Sequence, residues 1–202
     1  MPQTRAHPRK SPRQERSRQT VEAILAATAH ILAAKGYEQA STNAIADRAG
    51  VSIGSLYQYF PNKESLVTAV IEQVYESDKA LIEASLSKHR DKSFEKVVTA
   101  TVDALLTAFS KNPRLRKVIF YETPQTRQMD QLHGTKDYVA ELLGEYLERR
   151  GLVHERANLK LFLLVNALEG ALYAAVRERM DARAIKRELT TLIIRYLKPA
   201  NG

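Results

Sequence analysis

The sequence predicts an all-α protein of about nine helices, and three observations carry that expectation. Apolar residues recur at three- and four-residue spacing through most of the chain, as the buried face of a helix requires. No convincing stretch alternates apolar and polar residues with the period of two that marks a half-buried strand. Glycine (8) and proline (7) are scarce, while Leu, Ala, Glu, Lys and Arg are plentiful, a composition that favours helices.

The elements follow in order. Residues Met1 to Arg18 read as a flexible basic arm with Pro2, Pro8 and Pro12 and six cations (Arg5, Arg9, Lys10, Arg13, Arg16, Arg18). Helical period begins at Val21, and Val21, Ile24, Leu25, Thr28 and Leu32 mark one face of a first helix that Gly36 stops. Ser41 or Thr42 caps a short second helix with Ile45, Ala46 and Ala49, ended by Gly50. Ser52 caps a third that ends near Phe60, before Pro61. Asn62 caps a long fourth with Leu66, Val67, Val70, Ile71 and Val74 as its apolar stripe.

Beyond Lys88 the helical signals continue. Phe94 to Ser110 is a helix closed by Asn112-Pro113, and Arg114 to Tyr121 is a short one stopped before Pro124. Gln125 to Arg150 is expected to be helical, with a break at Gly134 and an end at Gly151. Asn158 to Met180 is apolar almost all round, as expected of a helix covered on more than one face. Asp181 to Leu197 is the last helix, ended by Pro199.

Composition excludes several classes. The chain has no cysteine, so no disulfide framework, cysteine nucleophile or thiolate metal site is available. Leu161 to Val165, like every other apolar run in the chain, is too short for a bilayer. The N-terminal stretch has no apolar segment behind a basic head. A soluble cytoplasmic protein, without membrane contact, is expected. The formal net charge is +8. Residues Met1 to Lys63 hold nine Lys/Arg against four Asp/Glu, or +5, and the rest of the chain contributes +3. The basic first third is therefore the candidate polyanion-facing region.

The informative stretch is Ser41 to Lys63, STNAIADRAGVSIGSLYQYFPNK. Two short helices joined by Ala49-Gly50-Val51-Ser52 form a helix-turn-helix corner. Gly50 suits a left-handed turn position, Val51 plugs the angle, and Ala46 is small where the helices approach. With Leu56 toward the core, Gly54 and Gln58 point most directly away and Ser55 and Tyr57 flank them. That face carries hydroxyls, an amide and a missing side chain, and no carboxylate. Hydroxyls suit phosphate oxygens, Gln58 can bond an adenine edge, and Ile53 can touch a thymine methyl.

At these residues the sequence resembles the DNA-binding domain of the TetR family of bacterial transcriptional regulators. The likeness runs without a gap over about Thr20 to Val74. It includes Ser41-Thr42, Ile45-Ala46, Ala49-Gly50-Val51-Ser52, Gly54-Ser55-Leu56-Tyr57, Tyr59-Phe60 and Lys63-Glu64-Ser65-Leu66. The resemblance implies an arm over 1–18, a DNA-binding domain over 19–64, and a helical ligand-binding and dimerisation domain over 65–202. It further implies a phosphate contact from Thr42, a major-groove position for Ser52, Ile53, Gly54 and Ser55, backbone contacts from Tyr57 and Tyr59, and another phosphate at Lys63. Gln58 matches a variable position suited to reading bases.

A single recognition helix reads few base pairs, so double-stranded operator DNA is expected to be bound by a homodimer on two half-sites. Ala167, Gly170, Ala171 and Ala174 form a small-residue strip, and Leu189, Leu192, Ile193 and Tyr196 a matching apolar face. Two such helices per subunit would build a four-helix bundle. A second row, Phe162, Asn166, Glu169 and Tyr173, is expected to line a small-molecule effector pocket, with Phe109, Phe120, Tyr121 and Tyr138 as further walls. The expected function is a ligand-responsive dimeric repressor, with an activator or a regulator controlled by a protein partner as the alternative. An enzyme or carrier is disfavoured: the five histidines are scattered, no phosphate-binding glycine loop or nucleophile elbow appears, and no metal or cofactor is expected.

Overall fold

The computed structural model describes residues 12–123, 135–149, 151 and 157–197. The expectations for 1–11, for a break at Gly134 and for an end at Pro199 lie outside the described residues. Among the described residues there are nine α-helices and no strand: α1 (Pro12–Gln39), α2 (Thr42–Ala49), α3 (Ile53–Tyr59), α4 (Lys63–His89), α5 (Phe94–Ser110), α6 (Pro113–Lys117), α7 (Thr135–Arg149), α8 (Ala157–Arg177) and α9 (Ala182–Leu197). No described helix is long and apolar enough to cross a membrane. The chain forms two compact units that divide after Val70, somewhat later than the expected boundary after Glu64.

In the first unit α1 begins at Pro12, well inside the stretch read as an arm. Proline is tolerated in the first turn of a helix, where its missing N–H has no partner to lose. The polar turns that follow are laced along their own surface, where the Arg18 guanidinium reaches Glu15 at 2.7 Å and Glu22 at 3.7 Å. Such spacing holds a helix without an apolar period. At Gly36 the backbone turns to φ 79°, which a side chain would resist. Ser41 then caps α2, its hydroxyl accepting from the Ala44 N–H at 3.3 Å. The core of this unit consists of Ile24, Leu32, Ile45, Leu56, Leu66 and Val67, all shut off from water. Thr28 joins them because its hydroxyl donates to the Ile24 carbonyl at 2.8 Å.

The second unit is built around α5, against which α8 and α9 pack, while α7 packs along α8. Val98, Val102, Leu143, Leu164, Leu168 and Ile193 are among its buried side chains. Asn112 caps α6 by accepting from the Leu115 N–H at 3.2 Å, with Pro113 in the first position. The short helix expected to run to Tyr121 widens at Val118–Glu122 into a π-helical turn, closed by the Thr123 N–H on the Val118 carbonyl at 3.0 Å. Single π turns are frequent at functional sites.

Candidate nucleic-acid interface

The corner between α2 and α3 has the expected geometry. Gly50 adopts φ 68°, ψ 30°, and its N–H donates to the Ala46 and Asp47 carbonyls. The chain leaves extended at Ser52, whose hydroxyl accepts from the Ser55 N–H at 3.0 Å and starts α3. Of the seven residues of α3, Leu56 is the one that is buried. Ile53, Gly54, Tyr57, Gln58 and Tyr59 are exposed and Ser55 is half-buried. A Cβ added at Gly54 would find only Ser52 Oγ nearby, at 3.9 Å. Nothing in the fold therefore requires a glycine there, and its bare backbone faces outward. Helix α3 carries no charge of either sign.

Hydroxyl groups around α3 are paired. Thr42 Oγ1, at the first residue of α2, lies 3.1 Å from Tyr57 Oη. Ser52 Oγ lies 2.9 Å from Ser55 Oγ. Ser17 Oγ, on α1, lies 3.1 Å from Tyr59 Oη. Each such pair spends one hydrogen between its members and keeps the other for an acceptor outside. An exposed hydroxyl that is positioned and still able to donate is suited to a phosphate oxygen. Ser17 belongs to this set and was missed by the sequence reading, because the arm around it showed no period; Tyr59 gave no hint of its partner 42 residues away.

Lys63 opens α4, and its Nζ donates to the Tyr37 carbonyl at 2.9 Å while lying 4.0 Å from the Tyr37 ring centroid. The ammonium thus anchors the start of α4 to the residue after the Gly36 break. An ammonium has three hydrogens, and this bond uses one.

In the second unit the candidate ligand residues do not converge on one pocket. Phe109, Phe120 and Tyr173 do meet: the Phe120 ring stacks on Tyr173 at 3.8 Å between centroids, and Phe109 meets Tyr173 edge-on at 5.0 Å. Tyr121 lies edge-on to Phe120 at 4.9 Å. Burial pushes the Tyr173 phenol well above its ordinary range, so it stays a neutral wall. Glu169 is half-buried beside Phe109 and Leu172, where the open space is about 20 Å3. That is on the scale of a single water. Tyr138 lies elsewhere, in a groove of about 640 Å3 formed by α4, α5 and α7, and its hydroxyl donates to Glu83 Oε1 at 2.6 Å.

Two expectations are corrected. Phe162 is 61% exposed and Asn166 is exposed, its amide donating to the Phe162 carbonyl. The row therefore starts at an open groove of about 430 Å3 between α7 and α8, which Phe162 and Asn166 help line, and ends inside at Tyr173. Leu189 and Ile193 are 7% and 2% exposed within the single chain. They are filled by the chain's own core, since that face of α9 packs on α5, and they are not available to a partner. Ala167, Gly170, Ala171 and Leu192 are exposed, and Ala174 and Tyr196 are half-buried. Around Gly170 an added Cβ meets nothing within 4 Å.

A capped two-helix corner that holds out an uncharged, hydroxyl-fringed helix defines a helix-turn-helix DNA-binding protein. Residues 24–70 match the bacterial regulatory proteins of the tetR family, and residues 93–197 match the tetracyclin repressor-like C-terminal domain. The chain belongs to the TetR family and is a DNA-binding transcriptional regulator; proteins of this family act as dimers. It is 27% identical to the nucleoid occlusion factor SlmA of Actinobacillus pleuropneumoniae serotype 5b (strain L20), over 86% of this chain and 87% of that protein. It is 28% identical to the transcriptional repressor KstR of Mycobacterium tuberculosis, over 61% of this chain and 57% of that one. Among solved structures, NalD of Pseudomonas aeruginosa, the secondary repressor of the MexAB-OprM multidrug efflux pump, superposes with a TM-score of 0.69 at 25% identity, covering 93% of this chain and 100% of that one. The fatty acid degradation regulator FadR of Bacillus halodurans shares the fold, with a TM-score of 0.70 at 21% identity over 96% of this chain and 98% of that one.

Proposed function

We propose that the protein is a cytoplasmic, dimeric, ligand-responsive repressor that occupies an operator and blocks transcription until a small molecule releases it. The observation that carries the reading is the outer face of α3, exposed, free of carboxylate and fringed by paired hydroxyls. In this reading Ser52, Ile53, Gly54, Ser55 and Gln58 enter the major groove, and Thr42, Tyr57, Tyr59 and Lys63 hold the flanking phosphates. Dimerisation places the exposed strip of α8, with Leu159, Leu163, Ala167, Gly170 and Ala171, and Leu192 of α9 against a second copy. The support is that these apolar side chains stand in water in the single chain.

The effector is proposed to enter at Phe109, Phe120, Tyr173 and Glu169. Ligand pockets run to roughly 300–1,000 Å3, far above the 20 Å3 open there. Entry therefore requires α5, α7 and α8, whose side chains line that space, to move apart. A ligand that binds only this opened form shifts the population toward it, which is the condition for switching. The test is genome-wide selection of bound fragments by the full-length protein, followed by deletion of its gene. Repression predicts that transcripts downstream of the bound sites rise; a fall would make the protein an activator. The likeness to a nucleoid occlusion factor supports a second reading, in which sites are scattered away from promoters and no adjacent transcript changes.

A further inference from the structure

A groove of about 1230 Å3 opens between the first turns of α1 and the α2–α3 corner, lined by Arg16, Ser17, Thr20, Ser52, Gln58 and Tyr59 among others. Its lining includes two arginines and no carboxylate. The two are not equivalent. Arg18 is neutralised along its own helix by Glu15 and Glu22. Arg16 is exposed and makes no salt bridge to any described residue. A guanidinium on a wall that supplies no counter-charge is matched by an anion from outside, and its planar fork fits phosphate oxygens. On the same wall Ser17 Oγ holds Tyr59 Oη at 3.1 Å. That bond fixes the phenol of an exposed ring at the end of α3 and leaves a hydroxyl hydrogen to give. The groove also includes Gln58, so a strand flanking the bases that α3 faces would pass along it.

We infer that Arg16 and Tyr59 together hold one backbone phosphate of the DNA strand on the α1 side of α3, with Ser17 as the positioning residue of the Tyr59 hydroxyl. The first turns of α1 are then part of the DNA-binding surface. This rests on the reading that α3 enters the major groove.

The experiment titrates salt against binding of the full-length protein to a genomic fragment it selects and to a scrambled fragment. Each phosphate contact adds about 0.9 to the slope of log affinity against log salt. With one contact per subunit, Arg16→Gln is expected to lower the slope by about two in the dimer and to weaken both fragments alike. Ser17→Ala and Tyr59→Phe are each expected to weaken binding, the double variant no more than Tyr59→Phe alone, and Ser17→Thr to restore it. An unchanged slope in Arg16→Gln overturns the proposal. So does a change of sequence preference without a change of slope, which would mean base reading. Additive losses in the double variant overturn the positioning role. Gln58→Ala is run alongside: if it alters base preference while Arg16→Gln does nothing, the α1 contact alone falls. If Gln58→Ala changes nothing, the placement of α3 falls and takes this contact with it.

Discussion

Arg116 on α6 donates through Nη2 to Asp78 Oδ1 on α4 at 2.6 Å, with the two side chains 5% and 1% exposed. The same guanidinium donates to the Ala108 carbonyl through Nε at 3.1 Å and Nη2 at 2.8 Å, and lies 4.5 Å from the Phe109 ring centroid. The charge is thus paired, hydrogen-bonded and set on an aromatic face, which is how a buried ion pair is tolerated. Removing one partner strands the other. Arg116→Met or Asp78→Leu alone is expected to cost about 3–5 kcal/mol, while the double variant recovers most of that loss. Urea denaturation of the four chains measures the coupling. Losses that simply add would show that the pair is not the determinant.

Gly54 separates stability from binding. Its Cβ position is open, and alanine is worth about 0.5–1 kcal/mol more than glycine inside a helix. Gly54→Ala should therefore raise the melting temperature slightly. With α3 in the major groove as proposed, the added methyl would face the DNA, so operator affinity should drop about tenfold, or 1.4 kcal/mol. Thermal melts and anisotropy on one preparation check both signs. Unchanged affinity would show that the backbone at residue 54 does not approach the bases.

Lys63 has two partners to lose. Its contact with the Tyr37 ring, made at a half-buried site beside the bond to the Tyr37 carbonyl, is worth about 0.5–2 kcal/mol. Lys63→Ala is expected to lower the melting temperature and also to flatten the salt dependence of binding by about one per contact. A lower melting temperature with an unchanged salt slope would confine Lys63 to holding α4 on Tyr37.

Gly170→Leu tests the dimer face. The position is open in the single chain, so any clash must come from a second copy. Overpacking of that contact should weaken the dimer by roughly 1–3 kcal/mol while the helical content and the α2–α3 corner stay intact. Sedimentation of the parent and variant at several concentrations decides it. Equal dimer stability in the two would move the interface off this strip.

How much was legible in the sequence follows from the range of each interaction. The α2–α3 corner was legible because its determinants are local. The Ser41, Ser52 and Asn62 side chains cap helices three residues on, Gly50 takes the left-handed turn, and Leu56 turns inward by period alone. Helix α8 was harder, since a helix apolar nearly all round has no period to say which side is covered. Phe162 was placed inward for that reason and stands in water. Leu189 and Ile193 carried a clear apolar face, but an apolar face does not say whether its own chain or another covers it; α5 does.

By itself the sequence determined an all-α chain with a helix-turn-helix near its start, because caps, glycine turns and helical period act within a few residues and need no neighbour. Only the tertiary structure decided that Asp78 sits at a core position of α4, since its partner lies 38 residues on. It also decided that Ser17 meets Tyr59, and that the space beside Glu169 has closed to about 20 Å3. These depend on how helices pack across the chain, where each contact is set by the shape of every other side chain filling the same interior.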